Sequence, residues 1–319
     1  MFTKLDEEVI ALLCCPLCKG VVGNGRGVFV CSDCGLQFRS RNVSVGRYEE
    51  EVYDFRIHRP SHCVAGVIRG WESCQKKYVK YHRRKAERDS YQDYLAEIES
   101  VKEIYTTEWR VRGKVLDVGG HQGRLRHFLS EKEVSLYVSV DPYFNVFENI
   151  QFRPNLLKAY PCLAKPCNFL SCHAESLPFS KDTFDFVHMR SCIDHFLDPF
   201  RALKEAHRVL EPNGTLMVGL AIKGGRQSND APQDSLRDRI KRSLRAKGIK
   251  GLKRTLLERL LHHVNLTRHE DHMFHLTYEE LNDLIKQSGY KITKEHWQKS
   301  PFEHCIYLAA SPRRIEKIC

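Results

Sequence analysis

The sequence predicts an α/β protein with a doubly wound parallel sheet, a small metal-binding ribbon before it and a basic helical insertion within it. Four short apolar runs between residues 113 and 220 alternate with helical segments, as in a parallel sheet covered on both faces. Two Cys-x2-Cys pairs lie near the N-terminus. A segment rich in lysine and arginine follows the last apolar run.

The composition is that of a globular protein with one main domain and a small appendage. The 319 residues are 42% hydrophobic and carry a formal net charge of +11, which favours phosphate-bearing partners or an anionic membrane surface and also fits an ordinary basic enzyme. No apolar run approaches the roughly 20 residues that span a bilayer. The N-terminal stretch carries acids where a signal peptide needs positive charge, so we expect a cytoplasmic protein.

Five of the thirteen cysteines crowd into residues 14–34 and predict a closed zinc site. Cys15 and Cys18 form one pair, and Cys31 and Cys34 the other, with twelve residues between the pairs. Two residues between cysteines form a tight knuckle that presents both sulfurs to one ion, and four thiolates favour zinc. The intervening VVGNGRGVFV is typical of a strand, a turn and a strand. Because no coordination position would stay open, we expect the zinc to be structural.

The segment from CPLCKG to EVYDFR resembles the small zinc-ribbon domain that activates tRNA methyltransferases. The resemblance covers residues 10–56, and EVYDFR stands where that family ends in a short strand. It implies a zinc ribbon at residues 1–56. So short a ribbon buries too little apolar surface to fold alone, which explains the need for a metal.

Residues 57–112 are expected to form a basic linker and a helix that leads into the main domain. The stretch KKYVKYHRRKAER at 76–88 interleaves cations with aromatic rings, which suits RNA and equally suits a solvated helix face. From Asp89 onward, apolar residues recur at steps of three and four, which predicts an amphipathic helix.

The stretch GKVLDVGGHQGRLRHFL is typical of a strand, a glycine-rich turn and a helix. Its glycines lack the G-x-G-x-x-G spacing of the dinucleotide fingerprint. It resembles instead the first motif of the class I S-adenosylmethionine-dependent methyltransferases, D/E-x-G-x-G-x-G. Asp117, Gly119 and Gly123 match, and His121 replaces the middle glycine. We expect Gly120 to supply the backbone freedom that this glycine would have given.

Further matches follow in the order of that family. Asp141 closes the second apolar run, where the family places an acid that accepts hydrogen bonds from the ribose hydroxyls. The block at residues 173–218 resembles the branch of the ubiquinone- and menaquinone-biosynthesis methyltransferases, with His173 where an acid commonly meets the adenine amine. The resemblance implies a doubly wound, Rossmann-like methyltransferase sheet at residues 113–312, with an insertion at about 222–272.

The resemblance also implies where the cofactor and the reacting centre lie. The glycine-rich turn would contact the cofactor by its backbone, and the residues after the fourth strand would face the reacting centre. His195 and Asp194 are candidates for acid–base chemistry, which is needed only if the methyl acceptor must lose a proton. The implied cofactor-binding residues are Asp117, Gly119, Gly120, His121, Gly123, Asp141, His173, Ala174, Glu175, Arg190 and Ser191.

The insertion has a basic and amphipathic character. Residues 237–259 carry ten lysines and arginines against two acids, with leucine and isoleucine recurring between them. The pattern suits an anionic membrane surface or RNA, and it also fits a lid helix with one buried and one solvated face.

Three functions remain open at this point. The first is an S-adenosylmethionine-dependent methyltransferase acting on a small molecule, such as a natural product, a quinone precursor or a sugar. The second is an RNA methyltransferase, although MRSCID follows the fourth strand where base N-methylases carry an Asn/Asp-Pro-Pro-Tyr motif. The third is a non-catalytic binding protein that keeps the fold, which the histidines at 121 and 173 suggest.

Overall fold

The structure is a computed structural model that describes most of the chain. The described residues are 2–25, 27–45, 48–57, 70–80, 89–148, 150–223, 225, 273–298 and 304–313. The basic stretch at 237–259 and residues 81–88 therefore lie outside the described residues, as does most of the insertion.

Twelve strands in the described residues form one continuous sheet. They are β1 (Thr3–Lys4), β2 (Val22–Gly25), β3 (Val28–Cys31), β4 (Gln37–Val45), β5 (Tyr48–Asp54), β6 (Gly113–Val118), β7 (Val134–Val140), β8 (Cys167–Ser171), β9 (Phe184–Arg190), β10 (Leu210–Ala221), β11 (Tyr290–Trp297) and β12 (Cys305–Pro312). Their order is β11-β12-β10-β9-β6-β7-β8-β5-β4-β3-β2, and β1 pairs with β8.

The described residues contain six α-helices. They are α1 (Glu7–Ala11), α2 (described at 70–80), α3 (Tyr91–Glu103), α4 (Pro154–Ala159), α5 (Pro199–Val209) and α6 (Tyr278–Gln287). Among the described residues, no helix has the length and apolar character needed to cross a membrane.

The central strands confirm the α/β fold class. Strands β8, β7, β6, β9 and β10 are parallel neighbours, and β12 runs antiparallel to both β10 and β11. The four predicted apolar runs form β6, β7, β9 and β10, whose inner residues are almost all buried on both faces. Because the central strands are parallel, their carboxyl ends share one edge, where open α/β sheets bind ligands.

The N-terminal residues extend this sheet. Strand β5 pairs in parallel with β8, with Tyr53 opposite Leu170, and β1 pairs with an earlier part of the same edge. The buried carboxylate of Glu50 joins the two segments, since it accepts hydrogen bonds from the Thr3 amide at 2.7 Å and the Thr3 hydroxyl at 2.8 Å. The ribbon that the sequence predicts at residues 1–56 therefore ends just after β5, and β5 itself belongs to the main sheet.

The predicted lead-in helix is present as α3. It begins at a capping box in which Ser90 and Asp93 bond to each other's backbone amides, and it buries Tyr94, Ile98 and Val101 against the main domain. This spacing of three and four residues is the one that the sequence shows.

The predicted linker also contains α2, which the sequence analysis did not separate from its basic surroundings. One face of α2 is half-buried and consists of Trp71, Cys74, Gln75, Tyr78 and Val79. The other face is exposed and carries Glu72, Ser73, Lys76, Lys77 and Lys80. The half-buried face lies on the carboxyl edge of the sheet.

Candidate functional site

A cleft opens at the carboxyl ends of β6, β7, β8 and β9, with α2 as its roof. It encloses about 580 Å³, its open mouth included. Seven of the sequence-predicted site residues line it: Gly119, Asp141, His173, Ala174, Glu175, Ser191 and His195. The other predicted residues lie behind its walls and are described below: Asp117, Gly120, His121, Gly123, Arg190 and Asp194.

Asp117 lies beneath the glycine-rich turn and is buried. Its carboxylate accepts a hydrogen bond from the Tyr137 hydroxyl and lies 2.7 Å from Nδ1 of His188. The other ring nitrogen of His188 lies 2.8 Å from the Tyr105 hydroxyl. Burial raises the pKa of both tyrosines well above the usual range, so both hydroxyls stay protonated. Asp117 therefore ties three neighbouring strands together.

The glycine-rich turn has a backbone that differs from the expected one. Gly119 has φ +69°, and a Cβ on it would lie 2.7 Å from Cβ of Cys192. His121 itself takes the left-handed conformation, with φ +51°, which costs a non-glycine residue about 1–2 kcal/mol. Gly120 does not have positive φ, so the expectation that it supplies the backbone freedom is wrong.

Gly120 is needed for space. A Cβ at this position would lie 2.5 Å from Cγ of Asp117 and 2.6 Å from the Ser139 hydroxyl oxygen. That hydroxyl donates to the His121 carbonyl at 3.0 Å and so supports the strained residue. Gly123, also left-handed at φ +76°, completes the turn.

Asp141 follows β7 and faces the cleft from a buried position. Its Oδ1 accepts a hydrogen bond from the Tyr143 amide at 2.9 Å, and the His121 amide also donates to the carboxylate. Burial raises the pKa of Asp141 to about 7, although the two amides act in the opposite direction. The carboxyl therefore ionises around neutral pH in the free protein. Once ionised, it can accept hydrogen bonds from two ligand hydroxyls.

Residues 173–175 form the next part of the wall. The Glu175 carboxylate accepts bonds from the amides of Leu197 at 2.7 Å and Asp198 at 3.1 Å, which fixes the start of α5. Burial raises the pKa of Glu175. The His173 ring lies 5.3 Å from the Trp71 ring of α2, nearly perpendicular to it. Glu175 thus fixes the backbone of the cleft wall at residues 197 and 198, whereas His173 contacts Trp71 of α2.

The roof is held on the backbone of His195. Its carbonyl accepts a hydrogen bond from the indole N–H of Trp71 at 2.9 Å and another from the side-chain amide of Gln75 at 3.3 Å. The Tyr78 ring meets the His195 ring edge-on at 4.9 Å, and burial, followed by the charge of Asp141, raises the pKa of Tyr78 above its usual range. In the described part of the basic stretch, Tyr78 therefore turns towards the cleft, and the lysines beside it are exposed.

Asp194 and Arg190, two further residues that the sequence predicts for the site, do not line the cleft. Asp194 is buried, and its carbonyl accepts bonds from the amides of Met273 at 2.8 Å and Phe274 at 3.2 Å. The Arg190 guanidinium donates to the Tyr307 hydroxyl at 3.1 Å. Ser191, between them in sequence, lines the cleft with φ +52°.

The four predicted zinc ligands come together. The Sγ atoms of Cys15, Cys18, Cys31 and Cys34 all lie within 4.8 Å of one another, with 3.6 Å between Cys15 and Cys34 and 3.4 Å between Cys18 and Cys31. A tetrahedral zinc with Zn–S bonds of about 2.3 Å requires sulfurs about 3.8 Å apart, so the cluster fits this ion. The hairpin β2–β3 brings the knuckles together, as the sequence predicts.

The first knuckle also contacts the main domain. The Cys14 amide donates to the Pro178 carbonyl at 3.0 Å, and Nζ of Lys19 lies 2.7 Å from the Glu205 carboxylate on α5. The residues around the first knuckle therefore bond to Pro178, which follows the cleft-wall residues 173–175 in the chain, and to α5.

Comparison with known proteins identifies the main domain. The sequence model of a family described as a methyltransferase domain matches residues 80–295, more than half of the chain. The chain is 27% identical over 120 residues to the uncharacterized methyltransferase YcgJ of Bacillus subtilis (strain 168), covering 36% of this chain and 43% of that protein. It is 40% identical over 58 residues to the uncharacterized protein YafE of Escherichia coli (strain K12), covering 18% of this chain and 28% of that protein.

The chain thus spans less than half the length of these curated relatives. Among solved structures, a Thermotoga maritima protein described as a SAM-dependent methyltransferase, possibly a histamine N-methyltransferase, shares 19% identity with a TM-score of 0.43. The match covers 76% of this chain and all of that one.

The conformation of His121 leads to a test of the glycine-rich turn. We expect His121→Gly to change the affinity for S-adenosylhomocysteine by less than about threefold in calorimetry, because the imidazole does not line the cleft. The matched contrast is Gly119→Ala, which places a Cβ against Cys192 at positive φ and should weaken binding at least about tenfold. A tenfold loss in His121→Gly would show that the imidazole contacts the ligand.

Proposed function

The chain belongs to the methyltransferase-domain family, and on this premise we propose that it is an S-adenosylmethionine-dependent methyltransferase acting on a small molecule. A natural product, a quinone precursor or a sugar would suit the cleft as acceptor. The observation that carries the proposal is that the buried Asp141 and the Gly119 turn face one covered cleft at the carboxyl edge of the sheet.

The residues of the cleft fit the cofactor. Asp141 would accept hydrogen bonds from the ribose hydroxyls. The backbone of Gly119 would contact the cofactor, and only glycine fits there because a Cβ would lie 2.7 Å from Cβ of Cys192. Residues 173–175 would lie against the adenine. When bound, S-adenosylmethionine supplies a methyl group that its sulfonium has already activated, so the task of the protein is to align the acceptor and exclude water.

The roof formed by α2 favours a small acceptor. Trp71, Gln75 and Tyr78 cover the cleft, and two of them bond to the His195 carbonyl. A base within an RNA strand would have to displace these contacts, whereas a small molecule can be enclosed by them. This roof supports the small-molecule proposal over an RNA substrate.

Of the two acid–base candidates, His195 is the one that we propose. It lines the cleft, and Trp71 and Gln75 bond to its carbonyl. Its ring lies edge-on against the Tyr78 ring at 4.9 Å, beside the place where the acceptor would lie. His195 would take the proton of an acceptor that has to lose one. Asp194 would instead hold the segment at Met273 through its carbonyl. The glycine-rich turn would be fixed in its path by four residues that do not line the cleft: Asp117, Gly120, His121 and Gly123.

We further propose that Cys15, Cys18, Cys31 and Cys34 hold a structural zinc ion. The separations of the four sulfurs support this. None of the eleven cysteines among the described residues forms a disulfide, which supports the reducing cytoplasm as the proposed compartment.

Metal analysis tests the zinc site. We expect the purified chain to contain about one zinc per chain, and Cys34→Ser to lose most of it and to melt at a lower temperature, because the ion closes the ribbon. The control is Cys162→Ser, which changes a half-buried cysteine outside the cluster and should retain the zinc. Equal zinc in both variants would contradict the assignment.

The raised pKa of Asp141 leads to a test of cofactor binding. Between pH 6 and pH 8, the affinity for S-adenosylhomocysteine should rise in calorimetry, because the carboxylate ionises with a pKa of about 7. Asp141→Asn should lose about a hundredfold in affinity at pH 8 and show no such rise, since two hydrogen bonds to a charged group are weakened.

The same substitution should stabilise the ligand-free protein at high pH. A carboxyl whose pKa is raised on folding contributes stability below its unfolded pKa, and this contribution is lost as the pH rises through about 7. Asp141→Asn should therefore melt about 2–4 °C above the wild type at pH 8, with a smaller difference at pH 5. The exposed Asp182→Asn is the control for both measurements. Unchanged affinity in Asp141→Asn would refute the proposed ribose contact.

A further inference from the structure

A second cavity lies in the N-terminal part of the chain, lined by residues of β4, the last residue of β5 and the segment after it. It is an open groove of about 1500 Å³ with its mouth included, and nothing in the proposed function uses it. Its apolar lining is Leu17, Leu36, Phe38 and Ile57, and its charged lining is Arg39, Arg41, Arg56 and Asp54.

Two of the three arginines of this arginine groove, Arg41 and Arg56, are oriented by the buried carboxylate of Asp54. Arg56 forms a two-pronged contact with Asp54, at 2.9 and 3.2 Å, and Arg41 lies 3.1 Å from the same carboxylate. Arg39 is exposed and donates to the neutral Gln37 at 3.0 Å. Three guanidinium groups and one carboxylate leave a net charge of +2 along the lining. Held guanidinium groups of this kind suit phosphate or carboxylate oxygens.

The arginine groove adjoins the cofactor cleft. A nitrogen of Arg56 donates to the Pro142 carbonyl at 3.1 Å, and Pro142 lines the cleft directly after Asp141. The pairing of β5 with β8 places the two sites on the same edge, because the carboxyl ends of these parallel strands meet there. A ligand in the groove therefore lies beside the cleft.

The apolar lining decides which kind of anion fits. Leu17 and Leu36 are 53% and 37% exposed, so aliphatic surface is available next to the guanidinium groups. Phe38, the aromatic residue of the lining, is only 5% exposed and offers no platform for stacking a base. Single-stranded nucleic acids need such platforms, whereas an alkyl chain needs aliphatic surface.

We propose that the arginine groove binds an amphiphilic anion, with its phosphate or carboxylate head on Arg39 and Arg41 and its alkyl part along Leu17 and Leu36. Resting on the proposed function, this assigns the methyl acceptor to the class of amphiphilic anions. The head in the groove then anchors the acceptor while its reacting end extends past Arg56 into the cleft.

Titration with three probes tests the site on the full chain. Decyl phosphate, kept below its micelle concentration, should bind at least about tenfold more tightly than decanol or inorganic phosphate, because only it engages both parts of the groove. Added salt should weaken the binding. Arg39→Glu should weaken it about tenfold or more, and Leu17→Ala should weaken it less.

The control is Lys132→Glu, which makes the same charge change in the exposed turn before β7, at the opposite edge of the sheet, and should leave the binding unchanged. Melting curves establish that each variant is folded, and Arg39→Gln replaces Arg39→Glu if the reversal unfolds the ribbon.

Equal binding of decanol and decyl phosphate would overturn the proposal, as would equal losses in Arg39→Glu and Lys132→Glu. Tighter, Arg39-dependent binding of a single-stranded RNA oligonucleotide would also overturn it. Affinity for S-adenosylhomocysteine is measured separately, so a failure of this site is distinct from a failure of the cofactor cleft.

Discussion

The cleft depends on the buried carboxylate of Asp117 at the centre of the sheet. Tyr137 from β7 and His188 from β9 hold its two oxygens, so the central strand β6 is fixed to both neighbours at the level where the glycine-rich turn begins. Loss of one partner would leave buried polar groups unpaired, at a cost of several kcal/mol if the charge remains. The same carboxylate excludes any side chain at Gly120 and thereby sets the path of the turn.

The edge of β8 imposes a second constraint. An unpaired parallel edge would expose its amide and carbonyl groups, and here β1 and β5 cover it one after the other. This pairing makes the N-terminal residues part of the main sheet. It also brings Asp54 and Arg56 to the edge that carries the cleft beneath α2. The ion pair of Lys19 and Glu205 also holds the cysteine cluster against α5.

Features with a local signal could be predicted from the sequence. The buried strands are continuous apolar runs, and the four clustered cysteines follow from their spacing. Features that depend on distant neighbours could not. The role of Asp117 is set by partners 20 and 71 residues away, which hold its carboxylate inside the sheet. The same carboxylate leaves no space for a Cβ at Gly120, which the sequence alone does not show. The sequence did not distinguish α2 from the basic linker because its exposed face is rich in lysine. The available signal was the spacing of Trp71 and Tyr78, which lie seven residues apart on one face.

A crystal structure of the complex with S-adenosylhomocysteine tests this account most directly. We expect the ribose hydroxyls within hydrogen-bonding distance of Asp141 and the His195 ring beside the sulfur. Asp117 should keep its bonds to Tyr137 and His188 and make no contact with the ligand. A complex in which Asp117 turns to the ligand, or in which the ligand binds outside the cleft beneath α2, would contradict the account.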